Sequence, residues 1–216
     1  MKRFFQFLMA SALVVSMQGC SNEPSDEIRS AVELKLKGEI QTPMSGTRVN
    51  AGGFETSDIV GVYVSSNGSL ILDNAAYTYS NGNLNAPADC KVYWDSEDTR
   101  LAVYAYYPYF EAITDVNKLY FEVATDQTIG GYEASDFLWA KAEGIRQADG
   151  TVNLEMKHLM SKLTVKIVAG EDYIGSLPED ATVHLHSTVT NVNIDLENGA
   201  VVKDPYSGAK SIKMKN

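Results

Sequence analysis

An all-β fold, a sandwich or barrel of short antiparallel strands, is what this sequence predicts, and three observations predict it. Apolar residues recur at every second position rather than at helical spacing. The apolar runs are short and separated by turn residues at near-regular intervals. No long amphipathic helical pattern interrupts them.

The elements follow in order. Val32, Leu34 and Leu36 alternate with Glu33, Lys35 and Lys37, which gives a strand with one apolar face. Residues 41–53 collect Pro43, Ser45, Gly46, Gly52 and Gly53, a loop by composition. Residues 59–64 read as a buried strand, and weaker strand signals lie at 69–72 and 75–79. Asn81-Gly82 marks a turn before Leu84. Residues 92–94 and 101–107 are strand-like, and Pro108 ends the second because proline has no N–H for the ladder. Strands are predicted at 119–123, 137–140 and 152–156, and Leu163, Val165 and Ile167 alternate with polar residues as another. Residues 171–180 read as a linker, followed by strands at 182–186 and 192–196 and a turn at Asn198-Gly199. Two or three strands cannot close a sandwich alone, so this last piece either joins the domain at 31–170 or begins a truncated second β domain at 181–216.

The N-terminus addresses the chain for export. Lys2 and Arg3 precede an almost wholly apolar stretch at 4–15, and Gly19 stands before Cys20. That is the layout of a signal peptide over residues 1–19, too short in its apolar part to span a bilayer. A small residue directly before the cysteine resembles a lipobox, which implies lipidation at Cys20 and anchoring without a spanning helix. Residues 20–30, acidic and proline-containing, read as a tether. With Cys20 lipidated, Cys90 has no intrachain partner, so stability must come from the apolar core; 44% of the 216 residues are hydrophobic. The formal charge of −10 becomes −12 without Lys2 and Arg3. Such an acidic body argues against nucleic acid as a partner.

Five short motifs in order carry a family resemblance. They are Phe54-x-x-x-Asp58-x-x-Gly61-Val62-Tyr63, Tyr93-Trp94, Val103-x-Ala105-Tyr106-Tyr107-Pro108, Ser135-Asp136-Phe137-Leu138-Trp139-Ala140 and His158-Leu159-Met160-Ser161-Lys162-Leu163. Behind a lipobox, this series resembles the fimbrillin-like proteins, subunits of type V pili. The resemblance implies a transthyretin-like β-sandwich in each domain and a lipidated precursor at the outer membrane. It implies as well that an arginine-specific protease cuts after the first strand and that a strand of another pilin subunit takes its place. In this sequence the exchangeable strand is the one carrying Val32, Leu34 and Leu36, whose burial is worth about 1.5–3 kcal/mol each. Arg48, in the Gly/Ser-rich loop that follows, is the expected processing site; Arg29 is the alternative, but cutting there leaves the strand attached.

Chemistry beyond assembly finds little support. His184-x-His186 places two imidazoles on one strand face, which supplies two metal ligands with no evident third, so solvent-facing histidines are the preferred reading. Asp95, Glu97 and Asp98 lack the calcium-loop pattern. There is no His-Glu-x-x-His, Gly-x-Ser-x-Gly or phosphate loop, and neither an enzyme nor a cofactor is expected. Trp94, Tyr104, Tyr106, Tyr107, Tyr109 and Trp139 define the alternative: a stacking platform in a glycan-binding outer-membrane lipoprotein, with Tyr107 and Tyr109 the most exposed. On alternating strand positions, however, aromatics ordinarily fill the core.

Overall fold

The computed structural model describes residues 31–41 and 53–215. In chain order these form β1 (Lys35–Ile40), β2 (Ile59–Ser66), β3 (Ser69–Ser80), β4 (Asn83–Asn85), β5 (Leu101–Tyr107) and β6 (Leu119–Glu122). A four-residue helix (Gly131–Ala134), β7 (Leu138–Ile145) and β8 (Thr151–His158) follow, then β9 (His184–Thr188), β10 (Asn191–Asp195), β11 (Ala200–Lys203) and β12 (Lys210–Lys213). The fold is all-β.

Seven strands make one sheet that closes on itself in the order β1-β4-β3-β2-β5-β7-β8. Its pairs are antiparallel except the closing one, in which β1 runs parallel to β8 from Lys35↔Thr151 to Ile40↔Met156. Closure removes sheet edges, which is the physical reason a barrel of short strands is stable as a unit. Inside it, Leu34, Leu36, Val60, Val62, Val64, Tyr77, Leu101, Val103, Leu138, Leu154 and Met156 form the first core.

A second core lies outside the barrel wall. In the three-stranded sheet β11-β10-β6, strands β6 and β10 pack their apolar side chains over the outer faces of β2 and β5, while β11 is exposed. Leu119, Phe121, Val192, Ile194 and Leu196 there meet Tyr63, Tyr104, Tyr106 and Phe137. This explains why β2 and β5 read as nearly continuous apolar runs: both of their faces are buried.

Several elements differ from the sequence expectation. Residues 69–80 are one strand, not two, with register shifts against β2 at Val62/Val64 and Val64/Ser65. Residues 92–94 contribute only a bridge, Glu33↔Tyr93. The strand expected at Leu163, Val165 and Ile167 is absent: all three side chains are about half exposed, and no sheet neighbour pairs with them. Among the C-terminal strands, β10 pairs with β6, its residues Asn191 to Ile194 against Glu122 to Leu119. β9 and β12 pair as a two-stranded sheet, which Lys213 ties to the segment after β6 through backbone bonds with Thr125 (2.8 Å) and Gln127 (2.9 Å).

The family motifs now have physical roles. Gly61 lies under the Tyr106 ring, where a Cβ would come within 2.1 Å of ring carbon. The Tyr106 hydroxyl donates to Asn74 Oδ1 (2.8 Å) and accepts from the Phe110 N–H (3.2 Å). Trp139 Nε1 donates to the Leu196 carbonyl at 2.7 Å, and its ring covers Gly199, whose positive φ of 70° makes the Asn198-Gly199 turn. His158 and Asp136, from two separate motifs, meet at 2.7 Å.

Candidate functional site

The candidate site is β1 and the groove that holds it. Alternation puts Leu34, Leu36, Gly38 and Ile40 inward, and leaves Lys35, Lys37 and Glu39 exposed. Leu34 and Leu36 are 4% and 2% exposed. Val32, expected to fill a groove position with them, does not: it is 41% exposed, because it precedes the strand and only its carbonyl is engaged, by the Trp94 N–H at 2.9 Å. Ile40, at the other end, packs against the core instead.

Both edges of β1 are paired. On one side it follows β8 for six residues, and Gln41 N–H donates to the Met156 carbonyl at 2.8 Å just beyond. On the other, Leu34 N–H donates to the Val92 carbonyl (2.8 Å), Leu36 faces Leu84 of β4, and Gly38 N–H donates to the Gly82 carbonyl (3.1 Å). Its outward side chains are held loosely, by an exposed Lys91–Glu33 ion pair at 3.1 Å and an Asn153 Nδ2–Glu39 Oε2 bond at 3.3 Å. Withdrawing β1 therefore opens the barrel between β4 and β8, bares two strand edges, and empties the leucine positions in the first core.

Two features of the groove escaped sequence reasoning. Gly38 is buried, and Leu84 lies over it, with side-chain carbons 3.3 Å from where a Cβ would stand. A glycine inside a strand pattern was the available signal, since it marks a close approach of other atoms; nothing in the sequence said which residue approaches. Cys20, Arg29 and Arg48 lie outside the described residues.

The other candidates resolve by burial. Trp94, Tyr104 and Tyr106 are core residues, Tyr107 packs against the first core, and Tyr109 and Trp139 pack against the second. These six rings thus divide between two cores on opposite faces of the barrel wall and do not make one platform. Burial pushes the Tyr77 and Tyr106 hydroxyls up to about 12, and burial likewise raises the Cys90 thiol. His184 and His186 stack with ring centroids 6.3 Å apart, and His186 Nδ1 lies 2.7 Å from Ser211 Oγ. Among the described residues, no group of three or more His, Cys, Asp or Glu side chains is placed to hold a metal ion. No helix among them is long and apolar enough to cross a membrane.

The fold is thus an all-β barrel closed by β1 and backed by a second small sheet. The family model described as fimbrillin-like matches residues 47–216, and the chain belongs to that family. Among solved structures, it is similar to a candidate cell adhesion protein of Bacteroides uniformis ATCC 8492. The two are 23% identical, the match covers 90% of this chain and 72% of that one, and the TM-score is 0.66. It is similar also to a candidate cell adhesion protein of Bacteroides ovatus ATCC 8483, at 22% identity, 86% and 73% coverage and a TM-score of 0.68. At these identities the likeness is one of fold. No curated protein matches the chain.

Proposed function

We propose that this chain is a structural adhesion protein: a fimbrillin-like subunit of, or associated with, a type V pilus, exported as a lipoprotein and assembled by proteolysis and strand exchange. Family membership supports the pilus and adhesion role. Residues 1–19 act as the signal, Cys20 carries the lipid that holds the precursor at the outer membrane, and residues 20–30 are the tether. Cleavage at Arg48 separates β1 from the body, and a strand of another pilin subunit fills the vacated groove.

The observation that carries the reading is the seating of β1. It is the first strand of the barrel, it closes the sheet through main-chain bonds on both edges, and its inward leucines are core residues. A strand of that kind is replaceable by any other that offers the same backbone bonds and apolar side chains. Burying Leu34 and Leu36 stabilises the intact precursor by about 1.5–3 kcal/mol each, so exchange requires that an incoming strand match this.

The test treats the full chain with an arginine-specific protease in the presence of partner pilins. Ladders on a non-boiled gel are expected with the native chain and are expected to be lost in Arg48→Ala. Ladders that form equally without cleavage at Arg48 would remove the proposed release step. Palmitate labelling, present in the native precursor and absent in Cys20→Ala, checks the anchor separately.

A further inference from the structure

Alternation of apolar residues cannot by itself fix how a strand sits in this groove. Sliding β1 by two residues keeps every leucine facing inward. Something else must set the register, and Gly38 is placed to do so. Gly38 has an ordinary strand backbone, with no positive φ to require glycine. Glycine there weakens the strand, since it supplies no side chain and costs more conformational entropy than alanine. What its missing side chain provides is room. The Leu84 side chain, from the neighbouring strand, occupies the space with three carbons at 3.3–3.4 Å from the absent Cβ. Leu84 is itself 4% exposed, packed in the first core between β1 and β3, so it has little freedom to retreat.

Leu36 already pairs with Leu84 in the native register; a strand slipped by two residues would put Leu36 or Ile40 where Gly38 stands, into the space that the Leu84 side chain fills. We propose that Leu84 acts as a size filter at the third inward position of the groove, admitting from another subunit only a strand that carries glycine there, between apolar residues at the other three positions. The filter sets the register of the incoming strand and rejects strands that are merely apolar. Across the 216 residues, the order apolar, apolar, glycine, apolar at alternate positions occurs at 34–40 and nowhere else. This inference rests on the strand-exchange reading for its biological use, while the packing it invokes exists in the intact chain.

The experiment uses labelled peptides of residues 31–41 with glycine, alanine or valine at position 38. They are added to full chain nicked by an arginine-specific protease, and binding is followed by fluorescence anisotropy. The native peptide is expected to bind, Gly38→Ala to bind about tenfold more weakly, and Gly38→Val weaker still, as overpacking a well-filled core requires. On the Leu84→Ala chain, or on Leu84→Val should that variant fail to fold, the three peptides should come within about threefold of one another. Equal binding of all three to the native chain, or an unchanged ranking on the Leu84 variants, overturns the filter. Failure of every peptide, the native one included, overturns strand exchange instead. The filter is then judged on the intact chain, where Leu84→Ala must recover part of the melting temperature lost in Gly38→Val; no recovery refutes it.

Discussion

β1 and the stretch around Leu163, Val165 and Ile167 look alike as sequence. Each alternates aliphatic residues with lysine and other polar side chains. In the structure they have opposite fates. β1 lies between β4 and β8 with Leu34 and Leu36 almost wholly buried. Leu163, Val165 and Ile167 are 53%, 46% and 49% exposed and belong to no strand. Alternation thus specifies two faces, but a strand exists only where a neighbour accepts its backbone bonds. The same distinction underlies the exchange proposed for β1: its stability resides in the groove, not in itself.

The largest expected difference between the two stretches is in amide hydrogen exchange. The amides of Leu36, Gly38 and Ile40 should open only with sub-global or global unfolding, and those of Leu163, Val165 and Ile167 at close to unprotected rates. Comparable protection in both would break the comparison. A smaller effect is expected from truncation. Leu36→Ala should cost about 2–5 kcal/mol in urea unfolding, through lost burial and the cavity left behind. Leu163→Ala should stay within about 0.5 kcal/mol. A large loss at Leu163 would mean that its stretch has a partner in solution.

The most modest effect concerns pH and sharpens the contrast between closed barrel and open segment. The folded barrel raises the ionisation of Tyr77 and Tyr106 to about 12, with desolvation by burial the leading cause for each. In the unfolded chain tyrosine ionises near 10. Between those values the unfolded state binds fewer protons than the folded one, so stability is fully present below about pH 10 and declines as pH rises toward about 12. Absorbance titration of phenolate should show these two hydroxyls ionising together with unfolding. Their titration near pH 10 in a folded chain would mean that the two cores, inside the barrel for Tyr77 and outside its wall for Tyr106, are open to water.

Much of the fold is legible in the sequence. The strand at 101–107 matches β5, and the turns at Asn81-Gly82 and Asn198-Gly199 fall where β3 meets β4 and where β10 meets β11. Those features depend on near neighbours in the chain: a proline after an aromatic run, or an asparagine–glycine pair with its tolerance of positive φ. The candidate site was legible in part. Alternation marks Leu34 and Leu36 as inward, but it marks Val32 equally although Val32 sits outside the groove, because periodicity does not say where the neighbouring strand stops. Gly38 and Leu84 were missed together, since neither has meaning without the other.

What the sequence determined alone, then, was the local grammar: an all-β chain, which faces of its strands are apolar, and where the turns fall. Tertiary structure decided the pairings. It closed the barrel by laying β1 parallel to β8, two stretches more than a hundred residues apart in the chain. It joined β10 to β6 to cover the outer faces of β2 and β5, and it left residues 163–167 without a neighbour. The physical reason is that side-chain period and turn chemistry act between near neighbours, while the choice of partner for a strand edge depends on which distant surface completes a core.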